Sequence, residues 1–289
     1  MLTSSLVSAS WLAAAAEGVV VLDVRAGEAG RQAYQESHLA GARWVDLETD
    51  LAATGQEAAD GGRHPLPALE DWCRRLGEWE IGPQTDVVLY DDSGGAMAAA
   101  RAWWMIRAVG HDRVALLDGG FDAAVAAGLA LDSAPLESAE AAALPVRVDY
   151  PCPTGGWVLP IAGAAEVEFR RLSRDSVVVD VRSAVRYRGE KENLDPIAGH
   201  IPGAVNDPYE SNLDEEGRFQ PAEKLRARLE GVLREAGSDN AVVYCGSGVT
   251  ACHTLLALHI AGLEGAALYV GSWSEWCRSE RPRASIHSD

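Results

Sequence analysis

The sequence has few basic residues for its length. Lys and Arg number 25 against 43 Asp and Glu, which gives the 289-residue chain a formal net charge of −18 and an isoelectric point near 4.7. Such a surface repels polyanions, so the composition argues against nucleic acid and against an anionic membrane as partners. A small anion can still bind where a site gathers its own arginines, because net charge describes the whole surface.

Cysteine is scarce as well. The five cysteines are an odd number without regular spacing, which is not typical of a disulfide framework. We therefore expect reduced thiols in a cytoplasmic protein. Four of the five are interpreted as mostly structural: Cys73, Cys152, Cys252 and Cys277.

Long apolar runs are also missing. The N-terminus has no basic region, and the apolar run that follows it is interrupted by Glu17 and Asp23. This pattern indicates neither a signal peptide nor a membrane span.

One segment carries a specific chemical signal. Val242 to Tyr244 is a run typical of a buried strand, and from Thr250 onward the apolar spacing is that of a helix. Cys245 therefore lies at the carboxyl end of a strand, and the turn Gly246-Ser-Gly248 can point several backbone N–H groups at one spot. Amide donors and the positive end of a helix favour thiolate over thiol, so Cys245 is predicted to be a nucleophile.

The chain contains an internal repeat. Leu-Asp-Val-Arg at 22–25 matches Val-Asp-Val-Arg at 179–182, and the turn that begins at His38 matches the one that begins at His200. Matched positions recur at similar offsets along the chain, which predicts a tandem duplication of one domain. The two histidines are expected to brace their turns. No metal site is expected, because no second ligand lies at helical or hairpin spacing.

Each half alternates short apolar strands with helical stretches such as Met97 to Val109 and Ala222 to Ala236. This predicts the α/β class: two tandem domains, each an open, mainly parallel sheet with helices on both faces. We expect an N-terminal domain over 1–130, a linker rich in Pro, Ala and Gly over 131–160, and a C-terminal domain over 161–289.

The halves differ where chemistry is expected. Asp91 stands at the position that matches Cys245, so the first domain has the loop without the nucleophile and is predicted to be catalytically silent. Arg182 and its partner Asp180 have counterparts in the first half, at 25 and 23, which favours a structural role in bracing the loop.

Four strings of the second half resemble landmarks of the rhodanese-like sulfurtransferases, in family order. They are Tyr-Cys-Gly-Ser-Gly-Val-Thr-Ala at 244–251, Val-Asp-Val-Arg at 179–182, Gly-His-Ile-Pro-Gly-Ala at 199–204 and Gly-Ser-Trp-Ser-Glu-Trp at 271–276. The cysteine loop is similar in particular to the 3-mercaptopyruvate type.

The resemblance implies roles for individual residues. Arg186 matches the arginine that grips the substrate anion. The family's second anion-binding arginine is absent, because the segment 190–196 is shorter and acidic, and Arg188 is the candidate to replace it. The remaining substrate contacts come from the loop itself: Gly246, Gly248, Val249 and Thr250.

The segment 61–67 has no counterpart in the second half, and it resembles the family's loop that carries a histidine toward the active site. The resemblance implies an array of Ser247, His64 and an acid, for which Glu48 is the match. Such an array could polarise the carbonyl of the substrate and move a proton as pyruvate leaves. Two neighbours rival Glu48 as the acid: Asp46 and Asp50.

The leading hypothesis is sulfur transfer. A sulfane sulfur would pass from 3-mercaptopyruvate through a Cys245 persulfide to a thiol, cyanide or a reduced carrier, with a thioredoxin-like protein as a candidate reductant and without metal or organic cofactor. A thiosulfate-specific loop in this family carries cations just after the cysteine. Gly246 and Ser247 are neutral, which favours mercaptopyruvate over the alternative donor, thiosulfate.

Two other functions remain as less favoured alternatives. A cysteine-loop phosphatase needs an arginine six residues after its cysteine, where this chain has Ala251. A non-catalytic persulfide carrier would have no need of His64 and Ser247.

Overall fold

The computed structural model of the protein describes residues 2–15, 18–96, 98–133 and 148–285. Met97 and part of the expected linker, residues 134–147, lie outside the described residues. The chain forms two compact units. The first comprises Met1–Thr54, Pro67–Val158 and Glu216–Arg218, and the second comprises Gly55–Leu66, Leu159–Glu215 and Phe219–Asp289.

The first unit is built on a five-stranded parallel sheet of short aliphatic runs. Its central strand is buried along its whole length, as expected for a parallel sheet covered on both faces. The strands are β1 Leu6–Val7, β2 Val19–Asp23, β3 His38–Leu39, β4 Arg43–Trp44, β5 Asp86–Tyr90, β6 Val114–Leu117 and β7 Leu131–Asp132. The order across the sheet is β1-β6-β5-β2-β4, and a short antiparallel pair, β3 and β7, lies outside it.

The second unit repeats this sheet. Its order is β11-β10-β8-β9, again all parallel, and each strand occupies the place of one in the series β6-β5-β2-β4. A parallel bridge from Ile161 to Leu268 takes the place of β1. The strands are β8 Val177–Asp180, β9 Val205–Asn206, β10 Ala241–Tyr244 and β11 Ala267–Leu268. The repeated order is the topology of a tandem duplication.

Helices flank both sheets, which confirms the predicted α/β architecture. The first unit contains the helices Ala9–Ala14, Gly27–Glu36, Leu69–Glu78, Ala99–Arg107 and Gly120–Ala126. The second contains Ala164–Arg170, Ala184–Tyr187, Ala222–Leu233, Thr250–Ile260 and Ser272–Trp276.

Two helix ends can be explained from local chemistry. Ser8 caps the first helix, because its side chain accepts the N–H of Trp11 at 3.1 Å. The stretch expected to be helical to Ala236 is α-helical only to Leu233, and it ends in a 3₁₀ turn where Arg234 has a φ of +55°. Within the described parts of the chain, every helix is too short or too polar to cross a membrane.

The Asp-Arg pairs form the same brace in both units. Arg25 Nη2 donates to Asp23 at 2.6 Å, and Arg182 Nη2 donates to Asp180 at 2.7 Å. The same nitrogen of Arg182 also donates to the carbonyl of Gly199 at 2.6 Å. Burial alone would lower the pKa of Arg182, but the buried ion pair with Asp180 raises it overall. These contacts tie the end of each strand to the following turn, as a structural role requires.

The matched histidines brace those turns. His38 Nδ1 lies 2.7 Å from the carbonyl oxygen of Tyr34, and His200 Nδ1 lies 2.7 Å from that of Tyr187. In each unit the two rings stack, with centroids 3.9 and 3.8 Å apart. Burial lowers the pKa of His200, which favours the neutral ring that this packing needs.

Candidate active site

Cys245 lies directly after β10, at the carboxyl end of the central part of the second sheet. Its side chain is buried, and the N–H of Gly248 donates to its Sγ at 3.2 Å. Gly248 has a φ of +79°, and a Cβ there would lie 2.5 Å from the carbonyl oxygen of Val270. Only glycine therefore lets the turn close and bring its amide to the sulfur. The helix Thr250–Ile260 begins just beyond the turn, so its positive end faces the loop.

A second turn holds the backbone of Cys245. Ser272 Oγ accepts the N–H of Cys245 at 3.1 Å and donates to the carbonyl of Tyr269 at 2.8 Å. The N–H of Trp273 donates to the Cys245 carbonyl at 3.1 Å, and that of Ser274 donates to a neighbouring loop carbonyl at 2.9 Å. In the sequence, these residues are marked only by the family string at 271–276.

His64 meets the serine of the loop. Its Nδ1 lies 2.8 Å from Ser247 Oγ, and both residues belong to the second unit. The segment around His64 packs closely on the second turn: a Cβ at Gly62 would lie 2.5 Å from the carbonyl oxygen of Gly271. The N–H of the intervening Arg63 donates to the Ser274 hydroxyl at 3.1 Å.

The acidic candidates for the array lie in the first unit. The N–H of Glu48 donates to Asp46 Oδ1 at 2.7 Å, and the N–H of Asp46 donates to Asp50 Oδ2 at 2.9 Å. Burial raises the pKa of Asp50. These bonds order a tight turn that carries all three carboxylates, and the choice of Glu48 as the acid stays a prediction.

Two arginines approach the loop at Gly246. A Cβ built on Gly246 would lie 3.2 Å from Arg63 Nη2 and 3.3 Å from Arg186 Nη1. Any side chain at position 246 would therefore press on both guanidinium groups. The family resemblance points to Arg186 but not to Arg63. The signal for Arg63 in the sequence is its place beside His64, in a segment without a counterpart in the other half.

Arg188, the candidate for the second anion-binding arginine, forms a surface pair. Its Nε donates to Glu190 Oε1 at 2.8 Å, and both side chains are more than one-third exposed. The hydrogen bond to Glu190 raises the pKa of Arg188. The cation that meets the loop beside Arg186 is thus Arg63.

The acidic segment 190–196 folds back onto these arginines. Both oxygens of the Glu192 carboxylate accept from Arg186 Nη2, at 2.8 and 2.9 Å. Asp195 pairs with Arg63 Nη1. The segment therefore supplies the carboxylates that hold Arg186 and Arg63. The family resemblance predicts an additional arginine at this place.

Comparison with known proteins identifies the family. A family model described as a rhodanese-like domain matches residues 8–127 and again residues 165–279. The chain belongs to the rhodanese-like family.

Three similar proteins bear on its reaction class. The chain is 41% identical to a probable 3-mercaptopyruvate sulfurtransferase of Pseudomonas aeruginosa, over 97% of this chain and 98% of that protein. It is 37% identical to a putative thiosulfate sulfurtransferase of Mycobacterium tuberculosis, over 91% of this chain and 89% of that protein. A solved 3-mercaptopyruvate sulfurtransferase from Leishmania major superposes with a TM-score of 0.77 at 28% identity, covering 94% and 74% of the two chains. The protein is an enzyme of the sulfurtransferase class.

The first rhodanese-like domain has a carboxylate where the second has its thiol. Asp91 is fully buried, and its Oδ1 accepts the N–H groups of Ser93 at 2.9 Å and Gly95 at 2.7 Å. Its Oδ2 accepts the N–H of Ala99 at 3.4 Å. Burial raises the pKa of Asp91, and the three backbone hydrogen bonds oppose that rise.

The remaining cysteines are free thiols in this rhodanese-like chain. Cys252 lies in the helix after the loop and donates to the carbonyl of Gly248 at 3.3 Å. Burial raises the pKa of Cys277, and it raises that of Cys73 to about 12, with help from a hydrogen bond to Cys152. Within the described residues, His, Cys, Asp and Glu side chains form no group of three or more that could hold a metal ion.

Proposed function

We propose that the protein transfers a sulfane sulfur from 3-mercaptopyruvate, through a persulfide on Cys245, to a thiol, cyanide or a reduced carrier. The observation that carries this proposal is the 2.8 Å contact between His64 Nδ1 and Ser247 Oγ, two residues after the nucleophile. A hydroxyl held by a histidine serves a donor that has a carbonyl group and releases a carbanion. Thiosulfate has no carbonyl group to polarise and releases no carbanion that must be protonated.

In the first step, the Cys245 thiolate attacks the sulfur of mercaptopyruvate. A sulfur–sulfur bond forms, the carbon–sulfur bond breaks, and its electron pair passes to carbon as the enolate of pyruvate. The thiol proton of the donor is returned to that carbon, which yields pyruvate and leaves a persulfide anion on Cys245. The N–H of Gly248, which already donates to the sulfur, stabilises the negative charge.

The array of Ser247 and His64 handles the carbonyl and the proton. We assign to the Ser247 hydroxyl the hydrogen bond to the donor's carbonyl oxygen, where charge develops as the carbon–sulfur bond breaks. His64 orients that hydroxyl and relays the proton, a role that typically contributes about 10²- to 10⁴-fold to a rate. Glu48 is the proposed acid that orients His64.

The donor's carboxylate is assigned to Arg186 and Arg63. Their nitrogens nearest to Gly246 are Arg63 Nη2 and Arg186 Nη1, whereas the ion pairs to the acidic segment use Arg63 Nη1 and Arg186 Nη2. Each guanidinium thus keeps a donor edge toward the loop. Arg63 takes the second position in place of Arg188, and the loop backbone from Gly246 to Thr250 completes the proposed contacts.

In the second step, the acceptor attacks the outer sulfur of the persulfide. With cyanide the products are thiocyanate and the Cys245 thiolate. With two thiols they are a disulfide, hydrogen sulfide and the thiolate, so a dithiol protein of the thioredoxin type is the proposed physiological reductant. The free state of all the cysteines supports a cytoplasmic setting for this chemistry.

Thiosulfate is the second candidate donor, and one observation favours it. Two arginines at Gly246 are what a dianion needs, and the Mycobacterium tuberculosis relative is named for thiosulfate. A phosphatase is disfavoured, because the position of its phosphate-binding arginine holds the fully buried Ala251.

The test is a paired assay on the purified protein. We expect pyruvate release from 3-mercaptopyruvate to exceed thiocyanate formation from thiosulfate and cyanide in kcat/KM. The opposite order would assign the protein to thiosulfate. Stoichiometric persulfide without turnover on either donor would identify a carrier.

A further inference from the structure

Asp195 is a buried carboxylate surrounded by cations. Its side chain is completely inaccessible to solvent, and its Oδ1 accepts from Arg278 Nη1 at 2.9 Å and pairs with Arg63 Nη1. Arg186 Nη2 lies 3.7 Å from Oδ2. Within the described residues, Oδ2 has no hydrogen-bond partner. A buried charge with an unsatisfied oxygen is costly, so it calls for a role beyond packing.

The charges around the loop nearly balance. Three guanidinium groups, on Arg63, Arg186 and Arg278, face two carboxylates, on Glu192 and Asp195, which leaves one net positive charge. Glu192 also contacts Arg182 at 3.4 Å, but that arginine is neutralised by the Asp180 brace described above. One net positive charge is what a donor with a single carboxylate requires.

We propose that Asp195 determines donor specificity, by holding Arg63 beside Gly246 and by lowering the charge of the arginine cluster to the value that suits a monoanion. The inference rests on the sulfur transfer proposed above. Asp195 acts through the arginines, so it is a positioning residue.

The geometry supports both parts of the role. Arg63 donates to Asp195 through Nη1, which leaves Nη2 toward Gly246, so removing the carboxylate would free the guanidinium to rotate. Arg278 is fastened independently, because its Nη1 also donates to the carbonyl of Ser274 at 2.6 Å. Loss of the Asp195 charge alone, with the Oδ1 acceptor kept, would therefore leave the three cations in place and raise the cluster's charge by one.

The test is Asp195→Asn in the full-length enzyme, which keeps the shape and the Oδ1 acceptor but removes the charge. With cyanide as acceptor, kcat/KM is measured for thiosulfate and for 3-mercaptopyruvate over a range of ionic strengths. We expect the ratio of thiosulfate to mercaptopyruvate to rise about tenfold, because a dianion gains more than a monoanion from the added charge. Salt should weaken the effect. The ratio is independent of the amount of folded enzyme.

Asp207→Asn is the matched control. Asp207 is another buried carboxylate of the second unit, paired with Arg228 at 2.5 Å, so its removal carries a similar folding cost. It should leave the donor ratio unchanged. An equal loss on both donors for Asp195→Asn would overturn the inference and leave Asp195 a purely structural residue.

The test separates this inference from the proposed function. If the wild-type enzyme releases no pyruvate, mercaptopyruvate is not its donor. The role of Asp195 can then still be tested by the activity with thiosulfate alone. In that case kcat/KM for thiosulfate should rise in Asp195→Asn relative to Asp207→Asn. Failure to rise would overturn the role of Asp195.

Discussion

The two matched loop positions, Cys245 and Asp91, show how one scaffold can hold either a thiol or a carboxylate. Both follow a central strand of a parallel sheet and precede a helix. The Asp91 carboxylate accepts three backbone N–H groups, whereas the Cys245 sulfur accepts that of Gly248. The first loop has a carboxylate built into its amide cradle, whereas the second holds the sulfur that gains charge in the proposed reaction. The scaffold supplies anion stabilisation in both loops, and the first loop lacks the thiol that the proposed reaction needs.

Each loop is supported by a backing turn, at 120–121 in the first domain and at 272–273 in the second, and the two turns differ at one matched position. The N–H of Phe121 donates to the Asp91 carbonyl at 2.9 Å, as Trp273 does to Cys245. The residue before Phe121 is Gly120, with a φ of +59°, whereas the residue before Trp273 is Ser272, with a φ of +52°. A left-handed serine is strained, and this strain is offset by the hydrogen bond that the Cys245 N–H donates to Ser272 Oγ.

The largest expected effect comes from removing the nucleophile. Cys245→Ser should abolish sulfur transfer on both donors and leave the thermal unfolding midpoint nearly unchanged, because the hydroxyl can still accept the Gly248 N–H. Cys252→Ser is the control and should retain much of the activity, since a serine hydroxyl can replace the thiol that donates to the carbonyl of Gly248. Activity assays and calorimetry measure both. Equal inactivation by the two changes would point to a two-cysteine redox mechanism.

The serine of each loop has a different partner, and the next prediction uses this. Ser93 donates to Asp92 at 3.2 Å, whereas Ser247 meets His64. His64→Ala should lower kcat/KM for mercaptopyruvate about 100-fold and hardly affect thiosulfate, because only the former needs proton relay. Steady-state kinetics with the two donors decide. Equal losses on both would show that His64 only holds the loop in place.

The silent loop can be tested by giving it a thiol. Asp91→Cys should not create a second active site, because Asp92 adjoins the new thiol and disfavours thiolate. Mass spectrometry after incubation with donor should show one labile sulfur per chain. Stability should fall by about 2 to 3 kcal/mol, because three buried N–H groups lose a charged acceptor. Two labile sulfurs would contradict the silence of the first domain.

The smallest effect is expected from the change that makes the backing turn of the second domain like that of the first, Ser272→Gly. Ser272→Gly relieves the strain of a left-handed serine but removes the hydrogen bond to the Cys245 N–H. The two terms are each about 1 kcal/mol and oppose one another, so stability should change by less than about 1 kcal/mol. Turnover should fall a few-fold on both donors. Ser272→Ala keeps the strain and loses the bond, so it should be the less stable of the pair.

Much of this protein can be predicted from short stretches of sequence. The strand, turn and helix around Cys245 depend on β-branched residues, glycines and apolar periodicity within about 20 positions, and these act locally. The duplication follows from repeated strings, and the resemblance to the family led to His64 and Arg186. The Asp-Arg braces were also predictable, because their partners are two residues apart.

The charge arrangement at the loop was decided by tertiary structure alone. Arg63 meets Asp195 across 132 positions of sequence and Ser274 across 211. No periodicity or motif encodes such pairs, because they form only when the segment carrying Gly62 packs against the turn at Gly271, where any side chain would collide. Sequence placed an acidic segment where an arginine was expected and assigned it no function. Folding turned Glu192 and Asp195 of that segment inward, where partly buried guanidinium groups require carboxylate partners, and so made these carboxylates part of the site.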